Sequence, residues 1–301
     1  MNQPVEQKVN QVNRNYKDSV FVDLFGKCKD AEANFLSLYN AITDKNLKLE
    51  ETKIEPLMLE QTIYTGRYND VSMIINDSLV VMVEQQSTVN ENMPLRFLEY
   101  ITKIYEKLVP SKNRYFKKMI PLPNPEFYVI YNGTDDYPVE KTLRLSDAFK
   151  NSDSQKDKGK NNEKISLELF VKVFNINKGR NTKLLMKCIP LSGYARLVEL
   201  VLEQKSCNNP NAVDDAVKQC IEEGILVDYF KYNSTEVRNM LIGEYNYEDD
   251  IAAQRQEERE QTSLDTAIRM IKDKKLSMED ISKYSDVPLE KVTSLAEELK
   301  S

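Results

Sequence analysis

Apolar residues recur along this chain at two spacings, which separate predicted strands from predicted helices. Strand-like apolar runs lie at residues 54–64, 68–75, 79–86, 126–131 and 165–175. Apolar residues three and four positions apart predict helices at residues 18–25, 35–42 and 94–109, and two more helices between residues 190 and 232. The order helix, three strands, helix, strand therefore predicts an α/β fold with a helical C-terminal region.

Shifts in composition divide the chain into four predicted parts. These are an α/β domain, a helical extension, an acidic linker and a small C-terminal unit, at residues 1–180, 181–247, 248–261 and 262–301. In the last part, Ser277 and Asp280 fit a capping box, and a second helix follows Pro288, so the unit resembles a helix-turn-helix. The polar tract at residues 151–164 cannot bury apolar area and is predicted to be a mobile loop.

Two of the predicted strands form a hairpin that brings acidic residues onto one face. A turn centred on Asp77 sets Asp70 directly opposite Glu84, with Cβ atoms roughly 4.5–5.5 Å apart. Gln86 shares that face, because side chains alternate along a strand. Opposed carboxylates repel each other, and a divalent cation would turn this cost into binding. Because the ligands offered are oxygen atoms, Mg²⁺ or Mn²⁺ is the expected ion.

Asp70 and the tripeptide Glu84-Gln85-Gln86 resemble the motif of the PD-(D/E)XK nuclease superfamily. The similarity is closer to the Rpn family of recombination-promoting nucleases, also called PD-(D/E)XK family transposases. Two flanking segments, residues 17–26 and 93–100, resemble the opening segment and the strand-to-helix passage of that family. The resemblance implies a restriction-endonuclease-like core, made of a helix, a three-stranded antiparallel meander, a helix and a strand.

The resemblance also implies a role for each residue of the motif. Asp70, Glu84 and the backbone carbonyl of Gln85 would bind the metal, and Gln86 would orient the attacking water or bind the phosphate. Many superfamily members have lysine where this chain has Gln86, although glutamine is usual in the Rpn family. We therefore expect slower cleavage that depends more on the metal than in the lysine-containing relatives.

Two functional classes follow from these motifs. The first is a cytoplasmic, Mg²⁺-dependent DNA endonuclease, whose breaks would feed recombination. The second is a catalytically inactive nuclease fold that binds or regulates a partner through its helical C-terminal region. True transposition requires strand transfer and recognition of transposon ends, and these motifs support neither.

Composition removes several mechanisms and leaves the metal-dependent one. The 301 residues include no histidine, which excludes Ser-His-Asp and Cys-His catalysis and histidine-bound zinc. A net charge of −6 argues against a uniformly basic nucleic-acid surface, although it allows a local basic groove. The four cysteines are scattered along the chain, which is typical of proteins in a reducing cytosol. No apolar stretch is close to the length of about 18 residues that a membrane-spanning helix needs. We therefore expect a cytoplasmic protein that does not cross a membrane.

A basic loop and one arginine are the predicted nucleic-acid contacts. The loop cations, which surround Tyr115 and Phe116, are Lys112, Arg114, Lys117 and Lys118. They predict phosphate contacts with aromatic rings near bases. The alternative is a solvated connection between a helix and a strand, with Phe116 in the core. Arg96 follows the acidic motif on the next helix and is predicted to reach a phosphate.

The C-terminal unit has two alternative predicted roles. Its lysines and arginine would allow its second helix to dock on DNA, but that helix also carries Glu290, Glu297 and Glu298, which repel phosphates. Self-association through the C-terminal helices is the other role, so a homo-oligomer is expected if DNA is not the partner.

Overall fold

A computed structural model describes residues 19–57, 70–150, 165–273 and 275–298 as an α/β protein with a helical C-terminal region. Its strands are β1 Ile54–Pro56, β2 Asp70–Ile75, β3 Leu79–Gln86, β4 Asn124–Tyr131, β5 Glu140–Arg144 and β6 Phe170–Asn175. Its α-helices are α1 Val20–Val22, α2 Ala31–Thr43, α3 Met93–Leu108, α4 Thr182–Lys187, α5 Ile189–Ser206, α6 Ala212–Glu222, α7 Val227–Asp273, α8 Met278–Ser285 and α9 Leu289–Glu298. None of these helices combines the length and the apolar character that crossing a membrane requires.

The strands form one mixed sheet in the order β1-β2-β3-β4-β6-β5. The first three strands are an antiparallel meander, β4 runs parallel to β3 and to β6, and β5 is antiparallel to β6. Helix α3 packs on one face, where Phe97 and Ile101 join a buried cluster that includes Met82 and Val129. The predicted order of helix, three strands, helix and strand is therefore confirmed.

The hairpin between β2 and β3 has the predicted register, because Asp70 pairs with Glu84. Its turn is made by Asn76 and Asp77, whose φ angles of 50° and 54° lie in the left-handed region. Asn and Asp tolerate that region better than other residues with a side chain. Both strands are buried on both faces, so the burial pattern does not choose between registers, and the turn sets the pairing.

Other elements differ from the prediction at their ends. Ser19 caps the first helix through a hydrogen bond from Val22 N to its Oγ, at 3.3 Å. Strand β1 is only three residues long. The rest of the strand predicted at residues 54–64 lies outside the described residues, because residues 58–69 are not described. The polar tract at residues 151–164, predicted to be a mobile loop, also lies outside them. Strand β5 was not predicted. It is an edge strand in which only Leu143 is buried, so it has little apolar signal.

The chain forms two compact units, at residues 1–241 and 242–301. In the second unit, Ala267 and Ile271 near the end of α7 pack with apolar residues of α8 and α9. One half of the predicted capping box at the start of α8 is present, because Asp280 N donates to Ser277 Oγ at 3.1 Å. The Asp280 carboxylate accepts a hydrogen bond from Ser277 Oγ. Residues 248–261 lie within the long helix α7.

Candidate functional site

The candidate site lies where β2 begins and β3 ends, beneath the first half of α3. Asp70 is half-buried, whereas Glu84 is only 3% exposed. Directly opposed residues on antiparallel strands have Cβ atoms roughly 4.5–5.5 Å apart. The fold therefore places two carboxyl groups at opposed positions on one face of the sheet.

The two oxygens of Glu84 have different surroundings. Oε1 accepts a hydrogen bond from Gln86 Nε2 at 3.2 Å and forms an ion pair with Arg96 Nη2 at 2.9 Å. Oε2 is buried, and no described residue donates a hydrogen bond to it. On the same face of β2, Ser72 Oγ is likewise buried without a partner among the described residues. Buried polar atoms are normally satisfied, and a bound ion or water would satisfy these two.

Burial dominates the electrostatics of both acids. It raises the pKa of Glu84 to about 7, and the nearby Asp70 adds to the rise, while Arg96 opposes it. Burial also raises the pKa of Asp70, although a backbone hydrogen bond and Arg96 work in the other direction. The ionised form of Glu84 is therefore disfavoured by its surroundings, and a bound cation would restore it.

Arg96 extends from the first turn of α3 to the acids. Burial lowers the pKa of its guanidinium. The attraction of Glu84 and the hydrogen bond to Tyr100 raise the pKa by more than burial lowers it, so the net shift is upward. Arg96 Nη2 donates to Tyr100 Oη at 2.9 Å, which fixes the direction of the side chain. The sequence pattern predicted Arg96 as a phosphate contact and gave no sign of its ion pair with Glu84.

Gln85 presents its side chain to the opposite face of the sheet. Its Nε2 donates to Asn132 Oδ1 at 2.7 Å, and Asn132 Nδ2 donates to Tyr194 Oη at 3.2 Å. This buried chain of amides connects β3 to α5 and holds the end of β3 in place. Asn132 and Tyr194 were missed in the sequence, because their contacts join residues that are far apart along the chain.

The carboxylate oxygens at this site are suitable ligands for a divalent cation. Glu84 Oε2 is free of hydrogen bonds within the described residues, and Asp70 faces the same side of the sheet. No group of three or more Asp, Glu, Cys or His side chains suited to a metal occurs within the described residues. Mg²⁺ is commonly held by one or two carboxylates, with waters and substrate phosphate completing its shell. Asp70 and Glu84 meet that requirement with oxygen ligands alone.

The structure does not bring the basic loop to the acids. Lys112, Arg114, Lys117 and Lys118 precede β4, whose first residue, Asn124, pairs with Leu79 at the start of β3. Glu84 lies five residues further along β3, or about 17 Å at roughly 3.3 Å per residue. Phe116 is 62% exposed, so its predicted place in the core is wrong, whereas the segment itself is an exposed connection between α3 and β4.

Comparison with known proteins gives one family. The model of a family described as "putative transposase, YhgA-like" matches residues 17–181, which is more than half of the chain. The match includes both acids, Arg96 and the basic loop, and it ends one residue before α4 begins. No curated protein and no solved structure matches the chain.

Proposed function

This chain belongs to the YhgA-like transposase family, and we propose that it is a metal-dependent DNA endonuclease with a restriction-endonuclease-like core. The observation that carries the proposal is the pairing of Asp70 with Glu84, whose Oε2 is buried without a hydrogen bond from the described residues. A transposase family implies DNA as the partner. Two neighbouring carboxylates can hold a metal ion of the kind that assists hydrolysis of a phosphodiester.

The order of elements supports the proposed core. Helix α2 precedes an antiparallel meander, and α3 then connects β3 to the parallel strand β4. This is the order that the PD-(D/E)XK superfamily implies. Asp70 begins the second strand of the meander, and Glu84-Gln85-Gln86 ends the third, as the motif requires.

In the proposed reaction, each residue at the strand ends has a distinct task. Asp70, Glu84 and the carbonyl of Gln85 would hold Mg²⁺ or Mn²⁺, which lowers the pKa of a bound water and neutralises charge on the phosphoryl oxygens. Gln86, whose amide lies beside Glu84, would orient the water or the phosphate. Arg96 supplies a fixed positive charge next to the acids, where it can balance the added negative charge of a phosphate.

Replacing Gln86 with lysine is expected to increase the rate of cleavage, by up to about tenfold. A lysine ammonium would stabilise the charge that develops on the phosphate, which the neutral amide of Gln86 cannot do. Initial rates of plasmid nicking at saturating Mg²⁺ measure the effect. A Gln86→Met variant is the control, because it has a similar length and no charge. An unchanged or lower rate in Gln86→Lys would count against the proposed role of Gln86.

Plasmid cleavage tests the proposed function itself. We expect purified protein to convert supercoiled DNA to nicked and linear forms in Mg²⁺ or Mn²⁺, and to leave it intact in EDTA. A parallel assay on a structured RNA separates DNA from RNA as the substrate. Intact DNA under every metal condition, from a protein that is folded, would reject the endonuclease.

One observation favours a second candidate, an inactive nuclease fold that binds or regulates a partner. Arg96 already compensates one oxygen of Glu84, as a structural ion pair would in a site that had lost its metal. In that case the C-terminal helices would act by self-association or by docking on DNA. Binding of Mn²⁺ without cleavage of any nucleic acid, or a lack of both, would favour this candidate.

A further inference from the structure

The loop between α3 and β4 exposes aromatic rings that a folded protein normally covers. It begins with a short 3-10 helix, Ser111–Tyr115, and continues without regular structure to β4. Tyr115 is 88% exposed, Phe116 62% and Met119 89%. Large apolar side chains grouped on a surface mark a site of interaction more often than isolated ones do.

The charge of the same loop is strongly positive. Lys112, Lys117 and Lys118 form no ion pair with the described residues, and Arg114 is 3.9 Å from Glu106. The chain as a whole has a net charge of −6, so this local excess of positive charge is an exception to its composition. A partner that satisfies the loop must therefore carry negative charge and flat apolar groups together.

A groove beside the loop gives such a partner a place to lie. Its volume is about 630 Å³, within the range of about 300–1,000 Å³ that is typical of ligand sites. Among the described residues, Glu106 is the one acid in its lining, which also includes three of the loop cations, Arg114, Lys117 and Lys118. The walls come from the last turns of α3 and from the loop, and include Thr102, Tyr105, Val109, Met119, Ile120 and Leu122.

Helix α3 connects this groove to the candidate metal site. Arg96, in the first half of the helix, contacts Glu84, and Tyr105, nine residues later, lines the groove. Nine residues of α-helix span about 14 Å, which is close to the roughly 17 Å expected from the residue spacing along β3. The groove is therefore a contact separate from the acids, at a distance that a few nucleotides would span.

We propose that this groove and the exposed loop beside it bind an unpaired nucleic-acid strand, with Phe116 in the groove and Tyr115 next to it stacked on bases, and the loop lysines on phosphates. Stacking needs exposed base faces, which a continuous duplex does not offer. If the proposed nuclease activity is correct, on which this further step rests, the enzyme cuts DNA that carries a single-stranded segment a few nucleotides from the scissile bond.

Binding of labelled oligothymidylate in EDTA, followed by fluorescence anisotropy, tests the groove without cleavage. We expect wild-type protein to bind the single strand more tightly than a blunt duplex. Tyr115→Ala/Phe116→Ala should raise the Kd for the single strand at least about tenfold, because each lost stack weakens binding severalfold or more. Tyr232→Ala is the matched control, since Tyr232 is also 81% exposed but lies on α7.

The lysines are tested through the salt dependence of binding. Lys117→Glu/Lys118→Glu should weaken binding and reduce the slope of log K against log salt by about 1.4, or about 0.7 for each phosphate contact. The control is Lys218→Glu/Lys231→Glu, which makes the same change in net charge at two exposed lysines on helices α6 and α7. Equal behaviour of loop and control variants, or a wild type that does not bind the single strand, would overturn the proposal and favour a protein partner.

The two proposals fail in different ways. Loss of single-strand binding in the loop variants, with no metal-dependent cleavage by wild type, keeps the groove and rejects the nuclease. Metal-dependent cleavage with loop variants that bind like wild type keeps the nuclease and rejects the groove. If both hold, the loop variants should lose the preference for cutting a duplex with an unpaired tail over a blunt duplex.

Discussion

Replacing Asp70 or Glu84 with alanine is expected to reduce Mg²⁺-dependent plasmid cleavage at least about a hundredfold. Each variant removes a carboxylate that would hold the ion, and an ion in such a site supplies several kcal/mol of transition-state stabilisation. Since about 1.4 kcal/mol corresponds to a factor of ten, the loss of even part of this term gives the stated decrease. Initial nicking rates over a Mg²⁺ titration measure it.

Two controls keep this result interpretable. Glu140→Ala removes an exposed acid from the edge strand β5 of the same sheet, and it should cleave like wild type. Glu84→Gln preserves the size of the buried side chain and its acceptor for Arg96, so its inactivity could not be attributed to a cavity. Cleavage by Asp70→Ala or Glu84→Gln at more than half the wild-type rate would contradict the assignment of these acids to the metal.

The second large effect concerns stability in the absence of metal. Burial raises the pKa of Glu84 from an ordinary 4.5 to about 7. The native state then binds the proton of Glu84 more tightly than the unfolded chain does. The contribution of Glu84 to the free energy of unfolding is therefore greatest below about pH 4.5 and is lost as the pH rises to about 7. At about 1.4 kcal/mol for each pKa unit, this loss is roughly 3 kcal/mol.

Thermal unfolding in EDTA at pH 4.5 and pH 8 compares wild type with Glu84→Gln. Wild type should lose roughly 6–12 °C more than the variant over this interval, given about 2–4 °C for each kcal/mol in a unit of this size. Other titrating groups, Asp70 included, are present in both proteins and largely cancel. Melting curves whose pH dependence is the same for both proteins would contradict the burial of an ionisable Glu84.

The hairpin could be predicted from the sequence because every local signal agreed. Two apolar runs located β2 and β3, and Asn76 and Asp77 fixed the turn between them. Together they gave the register that pairs Asp70 with Glu84. The family resemblance then added a chemical interpretation of that pair, which spacing alone could not supply.

The surroundings of the pair could not be predicted in the same way. The ion pair between Arg96 and Glu84 depends on how α3 packs over the sheet, and the amide chain from Gln85 to Tyr194 joins residues far apart in sequence. The distance between the acids and the basic loop depends on the parallel pairing of β3 with β4. A local pattern contains none of this information.

The position of Mn²⁺ in a crystal soaked with that ion tests the central claim most directly, because Mn²⁺ gives an anomalous signal and accepts the same oxygen ligands as Mg²⁺. We predict one anomalous peak between the carboxylates of Asp70 and Glu84, at about 2.1 Å from an oxygen of each. A structure in which that space holds no Mn²⁺, with Glu84 bonded only to Arg96 and Gln86, would contradict the account.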